Sequence, residues 1–143
     1  MKDKLFTIKL NRKELAALAV FKPELKQILD DYDNHYNIYV DKIVHLFGVL
    51  KYLSEKSIKD ELSKIRLLRN LLQNYFFLDS TKNFISEFFL NNSDYCKFIG
   101  YIDSIYRVTL DIIENDLSDE DLLDYQILFK EYLEDLSKLK LTD

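Results

Sequence analysis

Two glycines and one proline are all that 143 residues carry of the commonest chain breakers, alongside one cysteine, one methionine, two histidines and no tryptophan. Glycine and proline supply most tight turns, so their scarcity excludes a fold of many short strands joined by hairpins. It also excludes the glycine-rich loops that cradle phosphates or dinucleotides, because Gly48 and Gly100 stand alone inside helical patterns. The lone Cys96 can close no intramolecular disulfide; it reads as a small hydrophobe in or near the core of a protein from a reducing compartment.

Other absences narrow the setting. No run of 18 apolar residues occurs, which excludes a membrane-spanning helix. Asp3, Lys4 and Lys9 interrupt any apolar signal core in the opening MKDKLFTIKL. A positive balance is missing too: the net charge of −5 disfavours indiscriminate binding to phosphate backbones or anionic membranes. The expectation is a cytoplasmic protein with no membrane partner.

What remains is 48% apolar, 31% charged and rich in Tyr and Phe, a composition that suits a few long helices around a real core. We expect an all-α, single-domain bundle of about five to six helices over residues 12–139. Residues 1–11 form an extended arm and 140–143 a tail. Within the arm, residues 5–10 alternate as a strand would. They pack on the helices, or pair with another chain by strand addition or in a homodimer.

Asn11 and Glu14 make a capping box that opens a short helix to about Val20, and Pro23 suits the first turn of the next. From Leu25 to Leu53, apolar residues recur at helical spacing. Thirty helical residues span about 45 Å, so Gly48 or the DNHYN stretch is expected to bend or break this helix. After a connection at 54–57, Ile58 to Leu78 reads as one helix, with Ile58, Leu62, Ile65, Leu68, Leu72 and Phe76 on one stripe. A short helix from Asp79 holds Phe84, Ile85, Phe88 and Phe89, and Asn91, Asn92 and Ser93 break it. A helix over about 94–115 follows, where Gly100 suggests close packing. Ser118 caps the last helix, which runs to about Lys138.

Candidate chemistry is thin. His35 and His45 are ten residues apart. Asp31–His35 and Asp41–His45 have i, i+4 spacing but no further ligand nearby, and the Asp30, Asp31, Asp33, His35 cluster suits only weak attraction of a divalent ion or plain solvation. No catalytic residues, metal ligands or cofactors are assigned. Arg69 falls in the middle of the Ile58–Phe76 apolar stripe, where an unpaired charge is costly. It must snorkel, pair with an acid such as Glu61, or, together with Arg66, face a functional groove. The run Arg69-Asn70-Leu71-Leu72-Gln73-Asn74-Tyr75-Phe76 resembles the Arg-Asn-x-x-x-His-x-Tyr signature of HEPN-type RNases, small helical proteins of defence and toxin–antitoxin systems. Asn74 stands in place of the histidine and Phe76 in place of the tyrosine. The resemblance therefore implies a member without the RNA-cleaving pair.

Charge is the clearest functional signal. Between Asp111 and Asp135 there are ten acids against Lys130 alone, so this segment carries −9 and the remainder +4. Lys2, Lys4, Lys9, Arg12, Lys13, Lys22 and Lys26 crowd the beginning. On the last helix, Leu122, Tyr125, Phe129, Tyr132, Leu133, Leu136 and Leu139 form the inward stripe. Asp119, Glu120, Asp124, Glu131 and Glu134 lie outward, with Leu123 and Ile127 among them. An apolar residue ringed by carboxylates is shaped like a contact point.

The expectation that follows is a non-catalytic protein-binding module. It would be an inhibitor, antitoxin, immunity or phage anti-defence factor whose acidic C-terminal surface masks a basic partner surface. A nucleic-acid-associated or degenerate HEPN-like protein using the basic N-terminal half with Arg66 and Arg69 is the second candidate. A homo-oligomer assembled through residues 5–10 or surplus apolar faces is the third.

Overall fold

The computed structural model describes residues 12–84 and 92–141. The strand-like run 5–10, and Ile85, Phe88 and Phe89, lie outside the described residues. Those described form six α-helices and no strand: α1 (Arg12–Phe21), α2 (Lys26–Glu55), α3 (Leu62–Leu71), α4 (Asp79–Phe84), α5 (Asn92–Glu114) and α6 (Asp119–Ser137). The chain is the all-α bundle that its apolar spacing predicts.

The helix α2 organises the molecule. Pro23 opens a single 3-10 turn, Pro23–Leu25, that feeds straight into it. Tyr32, Tyr39, Ile43, Leu46, Val49, Leu50 and Leu53 are buried along its length. Neither Gly48 nor the DNHYN stretch breaks it, and the helix runs unbroken for 30 residues. Its apolar stripe packs against α1, α3 and α6, and this tertiary support outweighs the helix cost of one glycine. Gly100 is likewise not a close-packing site, since a side chain at either glycine would meet open space. Cys96 is exposed instead of in the core.

The segment expected as one helix from Ile58 to Leu78 is three pieces. Ile58–Asp60 is a 3-10 turn, and Glu61 leaves helical geometry at φ −124°, ψ 33° before α3 begins. After Leu71 the backbone widens into a π-helical stretch, Leu72–Phe76. Each break shifts the register that a uniform 100° per residue assumes. Ile58, Ile65, Leu68, Leu72 and Phe76 are buried as the stripe requires, but Leu62 turns out to solvent.

Helix α5 packs on α3 and α6, with Phe98, Ile102, Ile105 and Thr109 fully buried. Phe98 meets Phe76 edge to face, 5.7 Å between centroids. In the segment read as a tail, Leu141 is buried in the common core.

Candidate protein interface on the last helix

Helix α6 starts where its sequence says it should. Ser118 holds an extended backbone and its Oγ accepts a hydrogen bond from the Asp121 amide at 3.1 Å. Asp119, Glu120 and Asp121 occupy the first turn, where the helix dipole favours carboxylates. Phe129 and Leu136 are fully buried beneath the helix.

Three polar ties hold its inner side. Gln126 Nε2 donates to the Ser54 carbonyl at 3.1 Å, satisfying one of the acceptors left open at the end of α2. Tyr101 donates to Asp135 at 3.1 Å, and Tyr125 donates to Asp111 across the α5–α6 seam. The Asp111 carboxylate, followed by burial, pushes the Tyr125 phenol up to about 12. Burial and the Asp135 bond raise Tyr101 in the same direction.

The outer side is open. Asp119, Glu120, Asp124, Glu131 and Glu134 are all exposed. Leu123 and Ile127, one turn apart, have 54% and 50% of their surface free. With Leu123 at zero, Ile127 falls near 40° and Glu134, Glu120 and Glu131 at about 20°, 60° and 80°. Asp119 lies about 40° to the other side, with the base Lys130 between it and Leu123. The face is therefore a short apolar ridge among carboxylates.

Beside this ridge lies a feature that sequence reasoning missed. A cleft of about 360 Å³ opens between the Ser57–Lys59 turn and the first two turns of α6, lined by Ile58, Leu122, Leu123 and Gln126. A second hollow of about 210 Å³ adjoins it, reaching Leu62, Ile112, Asp116 and Leu117. Lys59, Asp119 and Leu122 belong to both. Lys59 and Asp119 meet at 3.7 Å across the mouth, with side chains 65% and 81% exposed. The break at Glu61 that borders this hollow is absent from the continuous helix expected from Ile58. The polar run Lys59-Asp60-Glu61 is the trace of the turn in the sequence.

The other candidates are placed elsewhere. Arg66 is exposed and Arg69 half-buried. Glu61 is not paired with Arg69; it accepts the Tyr52 hydroxyl at 2.7 Å, and that bond raises the Tyr52 phenol above its ordinary range. Arg69 donates through Nη2 to Asn70 at 3.0 Å, and its Nε is enclosed with no partner among the described residues. Asn74 is exposed whereas Phe76 is core, so the positions of the Arg-Asn run do not gather on one surface. In the acidic cluster near His35, His35 Nδ1 donates to the Asp31 carbonyl at 2.7 Å. Among the described residues no three His, Cys, Asp or Glu side chains converge on one point, and no helix is long and apolar enough to cross a membrane.

Fold and surface together define an all-helical bundle that carries an acidic face with an apolar ridge. Comparison of the chain with protein-family models, curated proteins and solved structures gives no match.

Proposed function

We propose that this chain is a non-catalytic binding module that covers a basic surface of a partner protein with the outer face of α6. The observation that carries this reading is the exposed Leu123–Ile127 pair among Asp119, Glu120, Asp124, Glu131 and Glu134. An apolar centre supplies the desolvated contact that holds a complex together. The charged rim steers the approach of a cationic partner and repels anionic ones. Such a module would act by occlusion, as an inhibitor, antitoxin, immunity protein or anti-defence factor.

The test replaces Asp124, Ile127 and Glu131 by Lys, Ala and Lys in one chain. All three side chains are exposed, so the fold, followed by circular dichroism, is expected to survive. In affinity capture from host lysate, the unsubstituted chain retains a basic protein that salt elutes, and the triple variant does not. Equal capture by both chains overturns the proposal.

A further inference from the structure

At the end of the molecule remote from the cleft, Val20 and Phe21 close α1 with 77% and 84% of their surface open. Leu18, one turn back from Phe21, is exposed as well. Lys22 and Lys26 are exposed at the same corner, with one acid, Glu24, between them. Hydrogen bonds from the Lys22 amide to Leu18 O at 3.0 Å and from the Leu25 amide to Lys22 O at 2.9 Å fix the turn. This is an apolar tip with a cationic rim. The cleft is its complement: Leu62, Leu122 and Leu123 line it with Asp116 and Asp119, the latter paired with Lys59 at its mouth. The exposed carboxylates of Glu120 and Asp124 flank Leu123 along α6.

We infer that the α1 tip of one copy docks into the acidic cleft of a second copy, so that the protein associates with itself head to tail. Phe21 enters beside Leu122 and Leu123, and Lys22 or Lys26 takes Asp119 from Lys59. That exchange costs little, because an ion pair exposed on both sides is worth little to begin with.

The layout sets the form of the association. The tip adjoins the first turn of α2 and the cleft its last, and 30 helical residues separate them by about 45 Å. One copy therefore cannot fill its own cleft with its own tip. A tip-to-cleft contact is heterologous and leaves a free tip at one end and a free cleft at the other, so it propagates into chains or closes into rings. A symmetric dimer through α6 would instead set carboxylates against carboxylates. The apolar contact is small, which places the association at the weak end of protein interfaces. Its charged rim makes it sensitive to salt. A heterologous partner on α6 would compete with the second copy, but the inference stands without that partner.

Sedimentation equilibrium of the full chain, from micromolar to millimolar, tests it. The weight-average mass is expected to climb past that of a dimer with concentration and to fall with added salt. Phe21→Ser or Asp119→Lys each weakens the association about tenfold, the effect of losing one good contact. Phe21 is exposed, so the circular dichroism melt of its variant stays as in the unsubstituted chain. Asp119→Lys gives up a favourable charge at the start of α6 and is compared at a temperature where its own melt shows it folded. Lys22→Glu also weakens association. Mixing it with Asp119→Lys restores binding between unlike chains, since a reversed tip meets a reversed cleft. A mass that stays monomeric throughout, one that stops at the dimer, or undiminished association in Phe21→Ser overturns the inference. Phe21 lies outside the α6 face, so loss of self-association with capture of a basic partner intact separates this contact from the proposed binding function.

Discussion

Single side chains fasten the acidic helix to the bundle, and Tyr125 is the sharpest case. A phenol that donates to the Asp111 carboxylate loses that bond once it ionises, and burial penalises the phenolate further. Its folded value of about 12 lies above the ordinary 10.0, so the folded state holds the proton more tightly than the unfolded chain does. The resulting stabilisation is complete below pH 10 and is lost as pH rises through about 12. Tyr125→Phe is expected to cost about 1 kcal/mol at neutral pH, measured by urea denaturation. The difference from the unsubstituted chain narrows as the titration proceeds. Ultraviolet difference titration should show the tyrosinate component near pH 12 disappear in the variant. A cost that does not change between pH 8 and 12 would mean that the bond contributes nothing through its proton.

At the scale of elements, the glycines give a direct measure of how far packing overrides propensity. Gly48 and Gly100 sit in helix interiors with open space where a side chain would go. Gly48→Ala and Gly100→Ala are each expected to raise stability by about 0.5–1 kcal/mol, seen as a higher melting temperature. A loss at either site would show that the backbone there needs glycine. The long helices were legible from apolar spacing, because α2, α5 and α6 each bury a stripe at a constant period. The Ser118 cap and the outward carboxylates of α6 followed from the same periodicity. The stretch from Ile58 to Leu78 was not legible to that depth. Its apolar residues fit a uniform helix, yet a 3-10 turn, the non-helical Glu61 and a π-helical stretch interrupt it. Such breaks are set by what the segment packs against, and short-range pattern does not encode them. The uniform period placed Leu62 on the inner stripe when it lies at the surface, offered Glu61 as one carboxylate partner for Arg69 when the described residues give it none, and hid the cleft beside Lys59.

The whole molecule is electrically lopsided, and the arrangement of its acids bears on whether that imbalance serves stability or contact. The first-turn acids Asp119, Glu120 and Asp121 suit the positive end of the α6 dipole. Glu131 and Glu134 sit toward its other end, where the dipole disfavours negative charge. Glu131 is also four residues from Asp135, and Glu120 is four from Asp124; like charges at that spacing repel. Of the nearby bases, Lys138 reaches Asp135 at 3.8 Å and Lys59 reaches Asp119 at 3.7 Å, both on the solvated surface where pairs count for little. Glu131 thus stands at a small net cost to the free protein, as is expected of a residue kept for a partner. Glu131→Gln should therefore raise stability by a few tenths of a kcal/mol, a shift of about 1 °C in melting temperature for a chain of this size, whereas Glu134, with Lys130 and Lys138 four residues to either side, gives no such gain. Added salt should shrink the gain by screening the repulsion. The same variant should bind a cationic protein surface more weakly. A fall in melting temperature on losing this charge would instead assign Glu131 to the stability of the bundle and remove it from the proposed binding face.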